Sequence, residues 1–312
     1  MTPLPTRPLG GTGLRVSTLT VGGAPLGSMP ENFGYEVAER DAIDLVRALL
    51  HSDLRSIDTA NGYSNGRSEE RIGRAIAENG GLPDDFLVTT KVDADGADYS
   101  GERVRASLRE SRERLGVPLR LVHLHDPEFH DFAELTASGG AVDALVAARD
   151  RGEIEHLGLA GGDVRELRPY LELGVFDVVL VHNRWTLVDR SAGDLIEEAL
   201  DRGMGVVNAA VLGGGILAGR SASTQYGYRP ASAATLDAIA AMRAVCARYG
   251  TDLGTAAVRF STRDTRLATT VVGISRPERI AQTAAAAVAD FPQDFWDELE
   301  TLVPDPVNWL DA

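Results

Sequence analysis

GERVRASLRESRERLGVPLRLVHLHDP, residues 101–127, holds one complete structural unit. Val104, Leu108 and Leu115 recur at helical spacing among Arg and Glu, so 101–115 reads as an amphipathic helix. Gly116 follows the last periodic residue, where a glycine enters the left-handed region without a Cβ clash and ends the helix. LRLVHLH (119–125) is then a short apolar run with strand character.

The same unit recurs in both directions. Strand-like runs stand at 17–22, 55–60, 85–92, 154–160, 176–182, 204–210 and 267–273, which with 119–125 makes eight. Helical patterns lie between them at 36–52, 141–151, 163–173, 191–202, 232–249 and 276–289, and Ser68 opens another. Gly152, Gly174, Gly203 and Gly250 stop helices as Gly116 does. Alternation of this kind predicts a parallel sheet with crossover helices. An open doubly wound sheet is the alternative, but no GxGxxG follows the first strand. The strand count, and functional residues at the C-terminal ends of several strands, favour closure. The expected fold is α/β, a (β/α)8 TIM barrel forming a single domain over 1–312, with an N-terminal β-hairpin and a long loop after strand seven. GGTG (10–13) is the expected hairpin turn at the barrel bottom, and 211–231 is the long loop, of the kind that serves binding.

A formal net charge of −15 argues against nucleic-acid or anionic-membrane partners. An anionic cofactor would need a local cationic site. The single cysteine, Cys246, excludes an internal disulfide and reads as a buried thiol. With no leader-like N-terminus and no membrane-length apolar run, the expected location is cytoplasmic. The expected state is a monomer or small homo-oligomer.

The chemistry gathers at strand ends. In IDTANGYSNGRSEERIG (57–73), Asp58 ends an apolar strand and Tyr63 lies on the following loop. Lys91 ends the next strand and His125 the one after. A strand-end carboxylate among apolar residues needs a partner, and Lys91 can supply it. An ammonium beside Tyr63 would lower the phenol from its ordinary value near 10. His125 can donate to a substrate oxygen. Together these groups suit proton transfer at a C–O centre, with hydride supplied by a cofactor. His123, two residues before His125, could pair with it as a metal ligand, but no acidic or cysteine partner stands at ligand spacing, so it is expected to pack inside the barrel and no metal is expected.

IDTA–x–x–Y–S–x–G–x–SE, the TTKV strand and HDP (125–127) resemble the aldo-keto reductase family along essentially the whole chain, and WTLVDR (185–190) resembles its aldose 1-dehydrogenase branch, which includes L-fucose, D-threo-aldose, L-galactose and pyridoxal dehydrogenases. The resemblance implies a hydride transfer between NAD or NADP and a carbonyl or alcohol carbon of a sugar or small aldehyde or ketone. It implies Tyr63 as general acid/base, Lys91 and Asp58 as its tuning pair, and His125 as the carbonyl-orienting group. It places Gly273, Ser275, Arg276, Arg279 and Gln282 at the adenosine end of the cofactor, where helix-start N–H groups favour anions. Gly213, with Gly214 and Gly215, matches the pyrophosphate loop. Family members often carry Ser-Asn after strand five, Gln near the end of strand six and an aromatic after strand seven. Here Ala160 and Gly161, His182 and Asn183, and Ala209 stand in those places, which gives the carboxamide contact to His182 or Asn183 and points to a wider pocket. Trp185 and Tyr226 are candidate substrate-pocket residues. Two other readings stay open: a Schiff-base aldolase or isomerase using Lys91, and a non-catalytic nicotinamide-binding regulatory subunit.

Overall fold

Eight parallel strands close on themselves in chain order in the computed structural model, which describes residues 4–30, 34–218 and 223–312. They are β1 (Leu19–Gly22), β2 (Ser56–Asp58), β3 (Leu87–Val92), β4 (Leu119–His125), β5 (Ile154–Gly161), β6 (Val178–His182), β7 (Gly205–Ala209) and β8 (Thr269–Gly273). β8 pairs with β1, Gly273 opposite Gly22, which leaves no free edge. All eight expected strands are present, and the fold is the (β/α)8 barrel.

Helices α1 (Glu39–Leu50), α2 (Arg67–Glu78), α3 (Gly101–Leu115), α4 (Ala141–Asp150), α5 (Val164–Glu172) and α6 (Gly193–Asp201) follow the first six strands. Each buries one apolar stripe against the sheet; in α1 this is Ala42, Ile43, Leu45, Val46, Leu49 and Leu50. The loop after β2 turns through left-handed residues Ser64, Asn65 and Gly66 before Arg67 begins α2, so Ser68 is inside the helix. The Ser68 hydroxyl is used tertiarily, bonding Thr59 Oγ1 at 2.8 Å and the Gly23 carbonyl at 2.8 Å.

After β7 come α7 (Ala233–Arg248) and α8 (Leu253–Arg263); α9 (Glu278–Ala287) and α10 (Gln293–Glu300) follow β8. The periodicity reading contained neither α8 nor α10. With α7 they enclose a second apolar cluster that includes Met242, Cys246, Phe295 and Trp296. Cys246 is buried as expected, and burial pushes its thiol up to about 11. No described helix is long and apolar enough to cross a membrane.

The N-terminal hairpin pairs Thr6–Pro8 with Arg15–Ser17 and inserts Leu9 into the lower barrel beside Leu121, Leu180 and Val207. Arg7 locks it by donating to the carbonyls of Asp264 and Leu267, both at 2.6 Å. The stretch 211–231 carries a 3-10 turn (Gly213–Gly215) and a small hairpin (Gln225–Tyr226 with Arg229–Pro230); residues 219–222 of it lie outside the described residues.

Candidate active site

β2 and β3 run in register, Asp58 opposite Thr89, and carry Asp58 and Lys91 to the upper end of the barrel. Lys91 is 1% exposed, yet all three ammonium protons have an acceptor. Nζ donates to Asp58 Oδ1 at 2.6 Å, to the Thr59 carbonyl at 2.7 Å and to Tyr63 Oη at 3.3 Å. Asp58 Oδ2 accepts from Thr89 Oγ1 at 2.9 Å. A buried ion pair persists only when its remaining protons and lone pairs are also satisfied, and this one is. Burial alone would lower the lysine, but Asp58 and Tyr63 outweigh it, and Lys91 is held above its ordinary value.

Tyr63 departs from the sequence expectation. Burial raises the phenol, and Lys91 opposes that rise without reversing it, so the net direction is up rather than down. In this protein the tyrosine is therefore a neutral phenol whose oxygen accepts a hydrogen bond from an ammonium. The protonated, three-fold-bonded Lys91 also lacks the free amine a Schiff base needs.

His125, at the end of β4, meets the Tyr63 ring edge-on at a centroid distance of 5.5 Å. Its Nδ1 lies 2.6 Å from Asp93 Oδ1 and its Nε2 lies 3.8 Å from Asp126 Oδ2. Burial would lower the imidazole, but Asp126 and Asp93 raise it above the ordinary histidine value. Asp126 in turn lies 3.4 Å from His182 Nε2; burial favours its neutral form, but His125 and His182 hold the carboxyl below the usual range. His123 packs inside the barrel as expected. Burial pushes it down to about 3, so it is neutral, and Nδ1 has no partner. Gly158 makes the room: a Cβ there would lie 2.0 Å from that nitrogen.

Asp58, Tyr63, Lys91 and His125 are thus brought together. Asp93, Asp126, Thr59 and Thr89 join them and were given no site role from the sequence. Two of these had a local signal, since Asp93 stands two residues past Lys91 and Asp126 directly follows His125.

The remaining candidates divide. Asn183 is fully buried in a left-handed conformation; its Nδ2 donates to His182 Nδ1 at 3.2 Å while its Oδ1 has no partner. An orphaned buried acceptor at the end of β6 fits an incoming carboxamide N–H. The pocket beside it is not widened by its small residues. A Cβ on Gly161 would lie 2.4 Å from Glu128 Oε2, and one on Gly162 would lie 2.4 Å from Arg184 Nη1. Glu128 and Arg184 fill that space, and Ala160 and Ala209 are buried in the barrel wall. Gly213 is left-handed and packs against the Tyr226 ring. At the far end, Gly273 ends β8 and Ser275 and Arg276 form the loop to α9, where Arg279 and Gln282 lie. Arg276, Arg279 and Gln282 are exposed, and no ion pair or hydrogen bond engages their side chains among the described residues. These free cations fit an anionic dinucleotide end.

Tyr226 is buried, and its hydroxyl donates to the Asn183 carbonyl and pairs with Thr186 Oγ1 at 2.8 Å, so it braces the loop after β6. Trp185 points away from the tetrad. Its Nε1 donates to Asp264, in the segment leading into β8, at 3.0 Å, and its ring packs beside Phe260 and Arg190. An exposed aromatic near the site is Tyr228, 69% exposed at the tip of the small hairpin, with its ring 6.3 Å from His182.

The aldo/keto reductase family model matches residues 18–304 of the chain. The chain belongs to the aldo/keto reductase family. L-galactose dehydrogenase of Arabidopsis thaliana is 30% identical, over 99% of this chain and 97% of the plant protein. D-threo-aldose 1-dehydrogenase of a Pseudomonas species is 28% identical, over 94% and 97%. A solved aldo-keto reductase from Bacillus halodurans shares the fold at a TM-score of 0.79, 18% identity and 98% coverage of both chains. This aldo-keto reductase is an NAD(P)-dependent oxidoreductase of carbonyl and alcohol substrates.

Proposed function

We infer that the protein interconverts an aldose and its C1-oxidised product, with Tyr63 as the proton-transfer group, Lys91 and Asp58 as its electrostatic support and His125 as the donor that orients the substrate oxygen. The observation that carries this reading is the hydrogen-bonded line from Asp58 through Lys91 Nζ to Tyr63 Oη, with the His125 ring beside it. When bound, the nicotinamide supplies or accepts the hydride. Asn183 Oδ1 would hold its carboxamide, and Arg276 and Arg279 its phosphate-bearing adenosine end. In the reducing direction, the Tyr63 phenol gives its proton to the developing alkoxide while the Lys91 ammonium stabilises the phenolate left behind. In the oxidising direction the same oxygen takes the proton back.

The names of the two relatives support an aldose, and so do the groups at the mouth. Asp126 offers a half-buried carboxylate acceptor for hydroxyls, and Tyr228 offers an exposed aromatic face for the apolar side of a sugar ring. A cytoplasmic location fits a chain whose one cysteine is buried and unpaired.

Tyr63→Phe tests the reading, with turnover of aldoses followed at the nicotinamide absorbance and cofactor affinity followed by fluorescence. The expected loss in kcat is at least about 100-fold, with cofactor Kd within about twofold of wild type. Near-normal rates in the variant would overturn the acid/base assignment. A pure binding subunit would instead show no turnover in the wild type with any aldose or aldehyde.

A further inference from the structure

Asp93 stands one residue past the end of β3, and its carboxylate makes two short hydrogen bonds. Oδ2 accepts from the backbone N–H of Gly62, one residue before Tyr63, at 2.6 Å. Oδ1 lies 2.6 Å from His125 Nδ1. One carboxylate therefore ties the loop after β2 to the end of β4. The clamp is itself held from α3: the Asp93 N–H donates to Ser107 Oγ at 3.2 Å and Arg103 Nε donates to the Asp93 carbonyl at 3.1 Å. Arg103 also reaches Asn61 Oδ1 at 2.9 Å and is paired with Glu110. Gly62 is matched to this contact, since a Cβ there would lie 2.9 Å from Asp93 Cγ.

We propose that Asp93 is a positioning residue for the hydride-transfer site: it fixes His125 with a proton on Nδ1 and holds the Tyr63 loop against the imidazole. The proposal rests on the roles inferred above for Tyr63 and His125. Its chemistry follows from proton counting. A ring nitrogen bonded to a carboxylate carries hydrogen, so a neutral His125 would have a bare lone pair at Nε2 and could not donate to a substrate oxygen. Donation needs the imidazolium, and two carboxylates face the ring: Asp93 at Nδ1 and Asp126 at Nε2. The other groups around it are the Lys91 ammonium, which opposes that charge, the neutral Tyr63 phenol, the neutral His123, and His182 on the far side of Asp126. The negative pair outweighs the one cation, in line with the upward direction for His125.

The test is Asp93→Asn, nearly isosteric and uncharged, with Asp93→Glu as a charge-retaining control. The His125 ring is followed by NMR in the cofactor-free protein, its signals assigned with a His125→Gln variant. In wild type His125 is expected to titrate above an ordinary histidine. In Asp93→Asn the midpoint is expected to fall by about one unit or more. The pH at which kcat/KM for reduction begins to decline should fall with it, because less imidazolium survives at a given pH. Asp93→Glu should restore most of the midpoint. In Asp93→Asn, kcat should drop about 10- to 100-fold with cofactor Kd unchanged. An unmoved midpoint, or a moved midpoint with kcat within twofold of wild type, overturns the proposal. Failure of the Tyr63 reading is separately visible, because the titration in the free protein needs no turnover.

Discussion

The Asp58–Lys91 pair survives full burial because each charged atom has a defined partner. Removing one member strands the other away from bulk solvent. Lys91→Met or Asp58→Asn should therefore cost about 3–5 kcal/mol in urea unfolding, whereas the double change Asp58→Leu with Lys91→Met should lie nearer wild type than the sum of the singles. His123 gives a second single-residue prediction. Unfolded, it takes up a proton near pH 6.5; folded, it is pushed down to about 3. As pH falls through that window the unfolded chain gains a proton that the native state refuses, so stability drops, and above about pH 6.5 the effect is absent. In His123→Leu the stability-versus-pH curve between pH 4 and 6 should be flatter by up to about 1.4 kcal/mol per unit, read from denaturation at fixed pH values. A slope unchanged from wild type would mean that the native imidazole does protonate.

The elements divide the molecule into a working end and a supporting end. The hairpin at the bottom places Gly10, left-handed, so close to β7 that a Cβ would lie 2.2 Å from the Gly205 nitrogen. Backbone cannot yield as a flexible side chain can. Gly10→Ala should lower stability by at least about 1–3 kcal/mol in thermal or urea unfolding. It should leave kcat within about twofold, because the tetrad sits at the opposite ends of the strands. Most elements were legible because their signals are local: strand runs, helical periodicity and glycine stops need no knowledge of the rest of the chain. α8 and α10 were missed because their apolar residues serve a cluster shared with α7. Phe295 and Trp296 are adjacent in sequence and both buried, a pairing that an exposed amphipathic helix would not show.

At the scale of the whole molecule, the field of a chain with net charge −15 opposes an anionic cofactor. Binding then depends on cations left unneutralised, and Arg276 and Arg279 have no partner among the described residues, where many of their counterparts are paired with Asp or Glu. Changing both to Ala should raise the Kd of either dinucleotide by roughly 10-fold, with NADPH losing more than NADH because it carries the additional phosphate. The difference between wild type and variant should shrink as salt rises, since the interaction is exposed and screened. Equal Kd values in variant and wild type at low salt would place the dinucleotide phosphates elsewhere.

The amino-acid sequence by itself determined the barrel and the set of three strand-end residues and one loop tyrosine, because both are written in short-range order: alternation sets the strands, and a residue at or just past a strand's C-terminal edge is carried to the same end of a parallel barrel. Only the tertiary structure decided how those residues behave. Whether Tyr63 is pulled down by Lys91 or pushed up by burial depends on how much water the closed barrel leaves around it. That Asp93 grips both Gly62 and His125, that Glu128 and Arg184 fill the space at Gly161 and Gly162, and that Trp185 turns away from the tetrad all depend on distances between segments tens of residues apart. Side-chain type and spacing do not carry those distances; chain closure and packing set them.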